Sequence, residues 1–124
     1  MEESEKMSHL NKKSGNYLDQ IPVRAEQVLW SVEENGLVTL DVENKGFFHR
    51  IAQKFFHKPK ISHIHLDPMG SFVWCLIDGE RDIFSLSASV KERFGDEASP
   101  LYERLSKYFQ VLHSYGFILF KNEI

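Results

Sequence analysis

The apolar residues of this chain change period at Leu66-Asp67-Pro68, and that change constrains the fold more than any other feature. Before it, apolar side chains alternate except across residues 44–57. After it, they recur every three or four residues. Alternation buries one face of a strand, and three-to-four spacing buries one stripe of a helix. Strands gathered ahead of helices argue against the interleaved order of a parallel βαβ fold.

Val28, Trp30 and Val32 form one alternating row, and Val38, Leu40 and Val42 form another after Asn35-Gly36. A two-residue Asn-Gly loop would pair Val32 with Thr39 and Trp30 with Asp41, which sends the two rows to opposite faces. A loop of Glu34, Asn35 and Gly36 pairs Val32 with Val38, Trp30 with Leu40 and Val28 with Val42. One apolar face results, and Gly36 takes the left-handed position that such a loop favours. We expect this second register. Residues 44–57 carry Phe47, Phe48, Ile51, Phe55 and Phe56 at helical spacing. They read as a short amphipathic helix between strands two and three, stopped at Lys58-Pro59-Lys60. Ile61 to Leu66 reads as a third strand, with Ile64 and Leu66 inward and His63 and His65 outward.

Three helices are expected beyond it. The first takes Asp67 as N-cap and Pro68 at its first position, with Met69, Phe72, Val73, Leu76 and Ile77 as its stripe. The second starts near Asp82, buries Ile83, Leu86, Val90 and Phe94, and stops at Gly95. The third is capped by Ser99-Pro100 and ends at Gly116. Its apolar residues cover about half its circumference, more than one core contact needs. Tyr17 to Glu26 reads as an extended leading segment and Phe117 to Phe120 as a terminal strand. The expected class is α+β and winged-helix-like: a three-stranded antiparallel sheet followed by a three-helix unit, with the extra short helix between strands two and three.

With 124 residues the chain suits a single domain, placed at 17–124 behind a flexible polar tail at 1–16. A hydrophobic fraction of 42% and an aromatic fraction of 13% argue against wholesale disorder. The net charge of −3 argues against a nucleic-acid partner. Cys75 is the one cysteine, so an internal disulfide and a thiolate metal cluster are excluded. It reads as a buried structural thiol. Without a signal-like apolar segment or a run long enough to span a bilayer, the expectation is a cytoplasmic protein without a membrane partner.

No phosphate-binding loop, dinucleotide fingerprint, HExxH motif or nucleophile elbow is present. The one motif that invites a chemical role is His63-Ile64-His65-Leu66-Asp67. Two histidines at i and i+2 of a strand point the same way and could share a metal, with His49 and His57 as further ligands. The favoured reading leaves them as solvent-facing strand residues, with Asp67 spent on the helix cap. The Phe-rich segment with its lysines could lie on a membrane surface, but packing on the domain or an oligomer contact is preferred. A DNA-reading helix needs more net basic charge than Arg104, Lys107 and His113 with Glu103, or Lys91 and Arg93 with Glu92, supply.

Leu66-Asp67-Pro68-Met69-Gly70-Ser71-Phe72-Val73-Trp74, then Ile77-Asp78-Gly79, Phe94-Gly95, and Leu112 with Gly116-Phe117-Ile118, resembles the PqqD-like family. The resemblance covers roughly Ile61 to Phe120 and extends to the hairpin before it. Pro68 and the Glu80-Arg81-Asp82-Ile83-Phe84 segment depart from the usual pattern, and the segment at 46–57 is extra relative to the shortest members. The resemblance implies a non-catalytic adaptor without cofactor or metal. It would capture the leader of a ribosomally made precursor peptide and present it to a modifying enzyme, often a radical-SAM enzyme. It implies a leader bound as an added strand on the third strand, against the last helix. The peptide-binding residues so implied are Ile61, Ser62, His63, Ile64 and His65, with Arg104, Tyr108, Val111 and Tyr115 from one flank of that helix. Leu105 and Leu112 would be core, and Tyr102 with Phe109 is the rival flank. The alternative is a winged-helix DNA-binding regulator. The aromatic-rich segment and an exposed strand edge both invite self-association, so a homodimer is also expected among the assemblies.

Overall fold

The computed structural model describes residues 17–43 and 61–124. The tail expected at 1–16 and the short helix expected within 44–57 lie outside the described residues. In chain order the elements are β1 (Pro22–Arg24), β2 (Leu29–Val32), β3 (Val38–Glu43), β4 (Ile61–His65), α1 (Pro68–Leu76), α2 (Ile83–Phe94), α3 (Leu101–Ser114) and β5 (Ile118–Phe120). The fold is α+β, with a three-stranded antiparallel sheet and three helices. The chain divides into two compact units, one spanning Glu26–Trp74 and the other combining the chain up to Ala25 with Cys75–Ile124.

In the Glu26–Trp74 unit the strand order is β2-β3-β4. The hairpin takes the register expected from its apolar rows, Val32 opposite Val38 and Trp30 opposite Leu40. Glu33 N–H donates to Leu37 O at 2.8 Å, which leaves Glu34, Asn35 and Gly36 as the loop, and Gly36 has φ of 87°. Asn35 Oδ1 accepts the Leu37 N–H at 3.0 Å. Burial of the two rows is unequal. Val28, Val38 and Leu40 are buried, whereas Trp30 and Val32 are 37% and 54% exposed because β2 is an edge strand. Trp30 sets its ring edge-on against Trp74, with centroids 6.1 Å apart.

Asp67 caps α1 as expected, its Oδ1 accepting the Gly70 N–H at 2.7 Å. The buried face of α1 departs from the expected stripe. Val73 and Ile77 are buried, but Gly70, Ser71 and Trp74 join them, while Met69, Phe72 and Leu76 are half-exposed. The reason is the Ser71 hydroxyl. It accepts the Val38 N–H at 2.8 Å and donates to Leu66 O at 3.2 Å, so it sits between two groups that would otherwise bond directly. This bridge turns the small face of the helix, Gly70-Ser71, toward the sheet end. It also corrects the reading of Cys75, which lies outside that face and is exposed.

In the other unit β1 pairs antiparallel with β5, Pro22 opposite Phe120 and Arg24 opposite Ile118. The leading segment and the terminal strand were each legible, but their pairing was not. Asp78 closes the turn after α1 by accepting the Glu80 and Arg81 N–H groups, both at 2.9 Å. Arg81 Nη2 donates to the Leu76 carbonyl at 3.0 Å and so covers the end of α1. Asp82 caps α2 through the Ser85 N–H at 2.8 Å. Ser99 makes no such cap for α3: Pro100 occupies the N-cap, where it has no polar side chain to offer. At the other end, Phe117 N–H reaches Leu112 O at 2.9 Å and Gly116 N–H reaches His113 O at 3.0 Å, with Gly116 at φ 77°. This paired closure needs a residue that tolerates positive φ. The core of this unit includes Ile83, Leu86, Val90, Leu105, Phe109, Leu112, Ile118 and Phe120, all buried.

Candidate functional site

The site is built first from the backbone of β4. Leu66 N–H donates to Val38 O at 2.9 Å, and the register continues through Leu40–Ile64 and Val42–Ser62. Antiparallel pairs alternate between bonded and non-bonded. Ser62 and Ile64 therefore turn their main-chain groups to β3, and Ile61, His63 and His65 turn theirs to the opposite side. Among the described residues no strand pairs with that side. An unpaired strand edge is a template for another strand.

The edges of the β1–β5 sheet are blunted. Its bonded pairs run through Ala25–Phe117 and Ile21–Lys121, so Pro22 and Phe120 turn their main chains outward. Pro22 has no N–H to offer. The Phe120 N–H is taken by Glu123 Oε1 at 2.7 Å. His113 Nε2 holds the same carboxylate at 3.0 Å, and its ring lies 4.6 Å from the Phe120 ring. The Phe120 N–H, and after it His113, hold the Glu123 carboxyl below the usual carboxylate range. No equivalent proline or carboxylate plug is seen on β4 among the described residues.

The side chains of β4 divide by face. Ile64 is half-buried opposite the buried Leu40. His63 and His65 are exposed, as the sequence implied, and each meets a β3 residue directly across the ladder. His63 Nδ1 lies 2.6 Å from Asp41 Oδ1, and His65 Nδ1 lies 3.0 Å from Thr39 Oγ1. With Asp67 spent on its cap, each member of the tempting metal motif has another partner. Among the described residues no group of three or more His, Cys, Asp or Glu is placed to hold a metal ion. Asp41 and Thr39 went unnoticed in the sequence. The β3–β4 register that reveals them depends on the return of the chain after residues 44–60, for which no local signal exists.

Of the helix residues expected at the site, Arg104, Tyr108 and Val111 lie on α3 and Tyr115 is its C-cap. Leu105, Phe109 and Leu112 form its buried face. Phe109 is fully buried, which removes it from the rival flank, and Tyr102 stacks instead on Phe84 at 6.2 Å. Along the other flank Val111 is 39% and Tyr115 69% exposed. Tyr108 is half-buried with its ring edge-on to Phe109 at 5.1 Å, and Tyr115 stacks on Phe117 at 5.6 Å. Arg104 is directed away from a free role, since Nη1 donates to Glu97 O at 2.6 Å. The expected residues thus form two sets, one on β4 and one on α3.

Among the described residues the outer edge of β4 is unpaired, and His63 and His65 are exposed along it. The family model for coenzyme PQQ synthesis protein D (PqqD) matches residues 26–118, and the chain belongs to that family. No curated protein and no solved structure matches it. Among the described residues no helix is long and apolar enough to cross a membrane.

Proposed function

We propose that this protein is a non-catalytic adaptor that binds the leader of a precursor peptide by strand addition to β4 and presents it to a modifying enzyme of the radical-SAM kind. The carrying observation is the β4 edge, where Ile61, His63 and His65 turn N–H and C=O away from β3. Family membership supports a peptide-binding role in a biosynthetic pathway. The winged-helix-like order of strands and helices is part of the same reading.

In such a complex the guest strand takes its main-chain bonds from Ile61, His63 and His65. Ser62 and Ile64 contribute through their side chains. In the other compact unit, Tyr108, Val111 and Tyr115 are proposed on their own account as leader-binding residues, and Arg104 serves mainly to hold the start of α3. The reading makes a sharp distinction within one strand. Binding of a leader from a precursor encoded beside this protein should slow amide exchange at Ile61, His63 and His65, while Ser62 and Ile64, already laddered to β3, change little. Equal protection along β4, or none, contradicts strand addition. Tyr108→Ala should weaken the same leader by about tenfold with an unchanged melting temperature; unchanged affinity removes Tyr108 from the site.

A further inference from the structure

The two histidines of β4 have their ring orientations fixed by β3. A carboxylate can only accept, so Asp41 Oδ1 accepts a hydrogen bond from His63 Nδ1–H across 2.6 Å. Nε2 is then the ring nitrogen left for anything beyond β4, and the His63 side chain is 63% exposed. His65 is exposed in the same way, with Nδ1 turned back to Thr39. The sequences of β2, β3 and β4 contain no lysine or arginine. His63 and His65 are therefore the only cations these three strands can provide.

Strand geometry fixes what a guest would present to them. A strand added to β4 lies about 4.8 Å from it and about 10 Å from β3. Guest residues opposite His63 and His65 project on the imidazole face, about 7 Å apart. The guest residue between them projects on the other face, beside Ile64 and its buried partner Leu40. We infer that the guest strand carries an acid–apolar–acid triplet, its two carboxylates on the His63 and His65 imidazoles and its apolar side chain beside Ile64. This specificity rests on the strand-addition reading above. A guest carboxylate stands one strand further from Asp41 than the imidazole does, so His63 sits between two acids and screens one from the other. Among the described residues of these strands and their ends, the other charged groups of this face are Glu43, opposite Ile61, and Glu33 beyond the end of β2. A lysine-bearing guest would place its ammonium against imidazoles that face outward, and is disfavoured whenever they are protonated.

A random library of 12-residue peptides displayed on their own messenger RNA, selected on the full chain at pH 6, tests this. At that pH an ordinary imidazole is mostly protonated. Peptides with the acid–apolar–acid triplet should enrich. His63→Gln and His65→Gln should each lower their affinity about threefold, the scale of an exposed ion pair. The same peptides with Asn replacing Asp should bind wild type and both variants alike. Amide exchange at Ile61, His63 and His65 locates each selected peptide. Peptides that protect those amides but lack the triplet, or carry lysines there, overturn the inference and leave strand addition standing. Selected peptides that protect no β4 amide, or a library that yields no binder, overturn both.

Discussion

At the scale of single residues, Ser71 and Asp78 do the most with the least exposure to view in the sequence. Ser71 is 3% exposed and its hydroxyl serves both Val38 N–H and Leu66 O. Ser71→Ala removes the hydroxyl that bridges the buried Val38 N–H and the part-buried Leu66 O, which the methyl still holds apart, and should cost about 1–3 kcal/mol in urea unfolding. Asp78 behaves differently because it is exposed. The Arg81 and Glu80 N–H groups, with the Arg81 side chain, hold its carboxyl down at about 2. Since the folded value lies below the unfolded one, the stabilisation is fully present above the ordinary carboxylate range and is lost as pH falls through about 2. Asp78→Asn should therefore lower the melting temperature at pH 7, and the gap from wild type should close by pH 2. Asp67, Asp82 and Gly36 were readable from local grammar alone, because caps and loop glycines depend on near neighbours. Ser71 was not, since both of its partners come from outside its own turn.

Elements were legible in proportion to how local their pairing is. The β2–β3 register followed from two apolar rows and one loop, because a one-residue slip would have inverted a face. The burial of α1 was misread because hydrophobicity marked Phe72 and Leu76, while the contact that orients the helix is the small, polar Gly70-Ser71 face. On α3 the breadth of the apolar arc was legible, but only packing separates the buried Phe109 from the exposed Tyr115. The β1–β5 pairing spans nearly the whole chain, so no window of sequence contains it. Its plug gives a prediction at this scale. Glu123→Ala frees the Phe120 N–H on an outward-facing edge and should bring stronger concentration-dependent association in sedimentation than wild type shows. A variant that associates no more than wild type at every concentration would show that Pro22 and the surrounding side chains suffice.

For the molecule as a whole, the class of fold was set by where the apolar period changes, whereas the function was not derivable from composition or periodicity. It entered through the spaced L-D-x-x-G-S-x-V-W and G-F-I motifs, which the family match at residues 26–118 supports. The net charge of −3 argues at this scale against a duplex partner. A gel shift on random duplex DNA should show no binding even at low salt; a salt-dependent shift would revive the DNA reading. The Ser71 bridge has a consequence for the guest strand proposed above. It ends the β3–β4 ladder just past His65, and among the described residues β4 is a five-residue strand, so its edge offers a proposed guest about 17 Å of extended chain. A longer guest runs beyond the hydroxyl with no main-chain partner from β4. On the strand-addition proposal, what this strand inspects is a short address label, and the cargo attached to it can change without changing the reader.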